Sequence, residues 1–354
     1  MSSPTPGVLS AIDFGRFDAE QDANLLDYFI DVGTASDALL GKYLVIGRKG
    51  SGKTALFKHV AASATGTVVE MDLEDYVFQA HKRLLDQAVS PAFAYAASWR
   101  FAIAISMFVE ASHTMKWRLR WRGKRILRQI GAGPNRGPLA ALFGWLSRVR
   151  KVALPSVPGI AELGGFEIAD VEETFLEKST LTLLDQLEDV LAAHVKRTPV
   201  TALVDRLDDA WDGTEESLRL IGGAVRAARH FAGKLKQEGP APVIVFLRTD
   251  LWEKIAFNDK NKFAQDAVYL DWPNEELERV IDRRIHKTAG VPEGEGWASV
   301  FTTERMRSGT TALKYMTKRV LGRPRDIVAF STFALDVAVS NGHTTIDGQD
   351  IVRR

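Results

Sequence analysis

Short apolar runs alternating with amphipathic stretches set the pattern of this chain. Tyr43-Leu44-Val45-Ile46 is an apolar run that passes into a glycine-containing turn at 47–52, and residues 54–62 (TALFKHVAA) then space their apolar positions with the period of a helix. The alternation recurs. Residues 66–73 (GTVVEMDL), 200–204 (VTALV) and 243–247 (VIVFL) predict buried strands, each followed by a helical pattern, and 268–270 predicts a short fifth strand ending at Asp271-Trp272-Pro273. Alternating strands and helices imply an α/β class, a parallel sheet sandwiched by helices. After Pro273 the strand signals stop, and 274–288, 308–321 and 326–339 read as helices. The predicted organisation is an α/β domain over 1–273, interrupted by a basic helical insert at about 90–160, and a helical subdomain over 274–354.

Three further segments carry expectations. Residues 14–31 set Ala23, Leu25, Leu26, Phe29 and Ile30 at helical spacing among acidic residues. Residues 344–354 (TTIDGQDIVRR) predict the opening of a helix capped by Thr345, which reads as part of a longer protein. Residues 101–109 (FAIAISMFV), bracketed by Arg100 and Glu110, are far short of the ~20 apolar residues that span a bilayer, so they predict a buried helix and no transmembrane segment.

Composition narrows the classes. The chain is 45% hydrophobic and 26% charged with a net charge of +1, the balance of a folded globular protein, and net charge alone names no partner. There is no cysteine, which excludes disulfides, thiolate metal sites and a cysteine nucleophile, and the seven histidines show no ligand spacing. The start, MSSPTPGVLSAIDFG, lacks the basic and apolar regions of a secretory signal, so a cytoplasmic protein is expected.

Gly47-Arg48-Lys49-Gly50-Ser51-Gly52-Lys53-Thr54 satisfies G-x-x-x-x-G-K-[ST] between a predicted strand and a predicted helix. Glycines at Gly47, Gly50 and Gly52 let successive backbone N–H groups, Ser51 included, curl around phosphates at a helix N-terminus. Lys53 is placed to reach the β- and γ-phosphates and the Thr54 hydroxyl to ligate Mg2+, so ATP with Mg2+ is the expected cofactor and ATP/ADP the expected ligand pair. Arg48 and Lys49 could each approach a phosphate, with a solvated loop cation the favoured reading.

A Mg2+-bound triphosphate also needs a carboxylate at the end of a buried strand. Asp205 ends the run 201–204 and opens Asp205-Arg206-Leu207-Asp208-Asp209. Asp205 is the expected second metal ligand; Asp208 could act as base or position the attacking water. A cap on the next helix is the competing reading, weaker for Asp205 and nearly as good for Asp209. Arg248, at the end of 243–247, is the candidate γ-phosphate sensor, with a surface pairing to Asp250 as its competing reading.

These residues together resemble the additional-strand class of P-loop ATPases and, within it, the bacterial KAP and STAND-like ATPases that neighbour the AAA+ proteins. Asp205-Arg206-Leu207-Asp208 resembles the second KAP motif, an apolar strand followed by Asp, Asp, Leu, Asp, and Phe14-Gly15 with Asp18-Ala19-Glu20 upstream of the phosphate loop is similar to a bacterial subfamily. The resemblance implies a second sensor in the lid at Gly322-Arg323-Pro324-Arg325-Asp326, carried by Arg323 or Arg325 on the nucleotide; a turn before a capped helix is the other reading. It also implies a homo-oligomer whose assembly follows nucleotide state, with a role in bacterial stress or phage defence. One departure bears on catalysis: AAA+ ATPases place a Glu directly after the metal-binding Asp, and this chain has Arg206 there. Either Asp208 substitutes or the protein is a nucleotide-dependent switch.

Between Ala111 and Ala161 there is no acidic residue, while Lys116, Arg118, Arg120, Arg122, Lys124, Arg125, Arg128, Arg136, Arg148, Arg150 and Lys151 accumulate around Trp117 and Trp121. A glycine-rich loop at 131–137 precedes an apolar stretch at 139–146. The basic insert 116–151 could bind nucleic acid, lie on an anionic membrane, or pair with the acid-rich flank 170–177. The leading function is a Mg2+-dependent ATPase or ATP switch controlling assembly or an effector. A nucleic-acid-binding loader or remodeller is the alternative, and a small-molecule kinase a third reading that shares the loop and the metal.

Overall fold

The computed structural model describes residues 7–31, 39–72, 91–130, 178–257, 260–306 and 309–352. The loop at 131–137, the apolar stretch 139–146, the cations Arg136, Arg148, Arg150 and Lys151, and the acid-rich flank 170–177 lie outside the described residues.

The strands are β1 (Leu44–Gly47), β2 (Thr67–Asp72), β3 (Val200–Asp205), β4 (Val243–Arg248) and β5 (Ala267–Leu270), in the order β2-β3-β4-β1-β5. β2 pairs with β3 and β3 with β4 in parallel, and Val245 of β4 donates its N–H to Tyr43 O beside β1. Leu44 to Ile46, Val200 to Val204 and Val243 to Val245 are buried, which is why these strands read as unbroken apolar runs; a parallel sheet is covered on both faces.

Two compact units divide the chain. One combines Met1–Asp37, Ile46–Ala62 and Tyr269–Arg354; the other combines Ala38–Val45 and Ser63–Val268.

The second unit holds most of the sheet with helices α3 (Pro91–Ala111), α4 (Trp117–Ile130), α5 (Lys178–Val195), α6 (Glu215–Lys234), α7 (Thr249–Lys254) and α8 (Lys260–Ala264). Residues 101–108 of α3 are buried throughout, as their apolar run predicts, and α3 packs on α5 and α6. Its one charge at the head of that run, Arg100, bonds the fully buried Glu188 through Nε at 2.9 Å and Nη2 at 3.0 Å, while His230 Nε2 sits 2.8 Å from the same carboxylate. A buried carboxylate persists here because it is paired.

The first unit contains α1 (Val8–Ala11), α2 (Lys53–Ser63) and the C-terminal helices α9 (Asn274–Ala289), α10 (Gly296–Val300), α11 (Ala312–Val320), α12 (Pro324–Ser340) and α13 (Gly348–Val352). Leu277, Ile281, Ile285, Met316, Ile327 and Leu335 form one apolar cluster to which Leu9, Ile12 and Phe14 contribute. No described helix is long and apolar enough to cross a membrane.

Two local expectations are corrected. Residues 17–28 form consecutive turns rather than a helix: Gln21, Leu25, Asp27 and Phe29 donate to carbonyls three residues back, and Asp18 and Asp22 side chains accept from Glu20 and Asn24 N–H. The aspartates compete with the helical hydrogen-bond pattern, as Asp does when its side chain reaches the backbone two residues on. Arg284, largely buried, fastens this segment by bonding Phe14 O and lying over the Tyr28 ring. The last helix is capped by Asp347, whose Oδ1 accepts Gln349 N–H at 2.6 Å and Asp350 N–H at 2.9 Å, and not by Thr345, which lies two residues too early.

Candidate nucleotide site

Gly47 ends β1 and Lys53 begins α2, so the intervening loop is a strand-to-helix turn with a helix N-terminus at its end. Gly50 (φ 81°) and Gly52 (φ 90°) take left-handed backbone that a Cβ would strain. Ser51 N–H bonds Arg48 O at 3.1 Å, and Leu56 N–H bonds Gly52 O at 2.9 Å. The Lys53 ammonium folds back over the loop to Gly47 O (3.0 Å) and Arg48 O (3.1 Å). Ser51 is 2% exposed, and its Oγ has no hydrogen-bond partner among the described residues. A buried hydroxyl without a partner, beside a lysine and a helix N-terminus, is the donor set that an oxyanion requires, so these residues fit a nucleotide's phosphates.

The same loop is tied to the C-terminal helices inside the first unit. Trp272, half-buried after β5, donates its indole N–H to Ser51 O at 2.8 Å, and its ring lies 3.6 Å from where a Gly52 Cβ would stand. Arg325, in the first turn of α12, donates its backbone N–H to Gly50 O at 3.3 Å, with its aliphatic carbons against Gly50. The residue as a whole is exposed. Pro324 begins α12 and Asp326 sits in the first turn, where Arg323 Nη1 reaches it at 3.4 Å. Gly322, at φ 68°, makes the turn that precedes them. Thus of the candidate lid residues, Arg325 meets the phosphate loop and Arg323 is held by Asp326.

In the second unit, Asp205 ends β3, is 6% exposed, and accepts Arg206 N–H at 2.8 Å through Oδ1. Arg206 has a left-handed backbone (φ 61°), unusual for a residue with a long side chain, and pairs with Asp209 at 2.9 Å. Residues Leu207–Ala210 form a 3-10 turn, and the following helix α6 is capped by the Thr214 hydroxyl, so neither Asp205 nor Asp209 serves as its cap.

Arg248 ends β4. Asp250 grips it at 3.0 Å on Nε and 2.7 Å on Nη2, and Asp208 approaches Nη1 at 3.3 Å. Its hydrogen bonds to Asp250 outweigh burial and hold the guanidinium's pKa above its ordinary value. For Asp250 burial pushes the carboxyl up, but the Arg248 bond and charge win and hold it below the usual carboxylate range. The structure therefore brings Arg248 and Asp208 together and gives Arg248 the Asp250 partner that its competing reading named.

Two residues at these sites carry no functional reading in the sequence: Trp272, which stands there only as part of a strand end, and Asp72, which ends β2 in register with Asp205 and whose available signal is an acidic residue closing an apolar run.

A third polar cluster, His343, Asp347 and Asp350, has ligand-type atoms within 4.8 Å of one another. The buried Asp350 carboxylate accepts Asn341 Nδ2 (3.3 Å) and Asp347 N–H (3.0 Å) and faces His343 Nδ1 (2.8 Å), so the cluster is a completed capping network.

Residues 275–353 match the family model of a FunZ-associated C-terminal helical domain. No curated protein matches the chain. Among solved structures, Cdc6p from Pyrobaculum aerophilum is similar at 12% identity with a TM-score of 0.32; the match covers 87% of this chain and 58% of that one, so the chain spans well under two thirds of its length.

Proposed function

We propose that this chain is a Mg2+-dependent ATP-binding protein of the additional-strand P-loop class, resembling KAP and STAND-like ATPases, that acts as an ATPase or an ATP switch. The observation that carries this reading is the phosphate loop's attachment to the C-terminal helices. Gly50 O accepts the Arg325 N–H of α12 and Ser51 O accepts the indole N–H of Trp272, just ahead of α9, so a ligand that rotates these peptide groups toward phosphate would disturb a bond to the helical part and one to the segment leading into it. Such a linkage suits a protein whose nucleotide state governs assembly of a homo-oligomer or an effector. The strand order gives support, since β4 stands between the phosphate-loop strand β1 and the acidic strand β3.

On this reading Lys53 would contact the β- and γ-phosphates, and Thr54 and Asp205 would hold a Mg2+ that supplies charge neutralisation at the phosphates. Asp208 orients water in place of the absent Glu at Arg206, Arg248 contacts the γ-phosphate, and Arg325, with Arg323 beside it, contacts the nucleotide from the helical side. The FunZ-associated match over 275–353 supports treating these helices as a module in their own right.

Phosphate release from Mg-ATP tests the reading. Wild type is expected to turn over while Asp205→Asn and Asp208→Asn each lose tenfold or more; ATP binding without turnover would select the switch, and a wild-type protein that neither binds nor hydrolyses ATP or GTP would end the proposal.

A further inference from the structure

The outer face of α4 combines exposed indole rings with exposed cations. Trp117 and Trp121 are 73% and 55% exposed, one turn apart, and the exposed Arg118, Arg122, Arg125 and Arg128 share their side of the helix. Arg118 lies over the Trp117 ring at 5.4 Å and Arg125 over the Trp121 ring at 5.8 Å, so each indole holds a guanidinium beside it. Among the described residues no carboxylate pairs with any of these arginines, and Ala111 to Ala161 contains none.

The helix's apolar side is already occupied. Ile126 and Leu127 are buried, α4 packs along α5, and Gly123 sits so close to α3 that a Cβ there would stand 2.0 Å from the Phe108 ring. An amphipathic helix binds a bilayer by sinking an apolar stripe into it, and α4 has given that stripe to its own protein. What it still presents is cations for phosphates and aromatic faces for stacking. A duplex hides its bases and would use only the cations; a single strand uses both.

We propose that this face of α4 binds single-stranded nucleic acid, the arginines on successive phosphates and Trp117 and Trp121 stacking on unpaired bases. The site stands apart from the nucleotide reading, since none of its residues belongs to the phosphate loop.

The test is fluorescence anisotropy of the full chain with a labelled mixed-sequence single strand of about 20 nucleotides, enough for a stacking surface of this kind. The matching duplex and vesicles containing phosphatidylserine are run alongside. Single-strand binding is expected, weakening with salt by a slope of roughly 0.7 per phosphate neutralised. Trp117→Ala/Trp121→Ala should weaken it tenfold or more with an unchanged thermal melt, the strand should quench wild-type tryptophan fluorescence, and Lys53→Ala should bind as wild type does. No binding at low salt, equal binding of duplex and single strand with no loss in the tryptophan variant, or binding to vesicles alone would overturn the proposal.

Discussion

At the scale of single residues, Arg248 and Asp208 meet at 3.3 Å. Asp250 grips the arginine from one side and Asp208 meets it from the other, so its guanidinium is oriented before any ligand arrives. If that orientation serves a γ-phosphate, Arg248→Ala should lower phosphate release tenfold or more, since positioned charge at a developing anion carries a large share of such catalysis, while ATP affinity stays within about threefold. Parallel measurement of the rate and the binding constant checks this; an equal loss in both would make Arg248 a binding residue only. The acid cluster was legible because Asp205 closes an apolar run and charges recur directly after it. Trp272 was not legible in the same way, because its indole meets Ser51 through a fold-dependent approach of residues distant in sequence.

Elements differ in how plainly their causes are written. The buried strands announced themselves, since a strand covered on both faces must be apolar throughout, and the predicted helices of the C-terminal part agree with α9, α11 and α12 to within a few residues at their ends. The segment at 17–28 misled because its apolar spacing was helical while its aspartates favoured turns. The α3–α4 packing depends on Gly123, a residue that sequence alone marks only as a weak helix former. Gly123→Ala should destabilise the protein by about 1–3 kcal/mol, because the added methyl meets the Phe108 ring in an already filled space; urea unfolding measures it. An unchanged midpoint would show that the ring has room to move.

The cap of α13 has a pH signature. For Asp350 burial raises the carboxyl's pKa, but bonds from His343, Asp347 N–H and Asn341 outweigh it and the folded-state value is depressed. A depressed carboxyl contributes stability that is full above the unfolded value, about 4, and is lost as pH falls through the folded value. Asp350→Ala should cost about 1–3 kcal/mol at neutral pH by leaving those donors without an acceptor, and the gap between variant and wild type should shrink below about pH 4. Thermal melts across pH test it, and a gap constant with pH would assign the loss to packing.

At the scale of the whole molecule, the change of pattern near Pro273 was readable, and a model of a helical domain matches from 275 onward. The composition of the compact units was not readable, because residues 46–62 join the C-terminal helices only through tertiary contacts. That grouping puts Gly50, Ser51, Trp272 and Arg325 in one body, joined by the Trp272–Ser51 and Arg325–Gly50 hydrogen bonds.

The central claim is that the loop holds Mg-ATP. Equilibrium titration of wild type and Lys53→Ala with a fluorescent ATP analogue in Mg2+ tests it most directly. Saturable binding to wild type, weakened roughly 10- to 150-fold in Lys53→Ala by the loss of a charge-assisted contact to phosphate, is the predicted result. Equal affinity of the two proteins, with both folded, would contradict it.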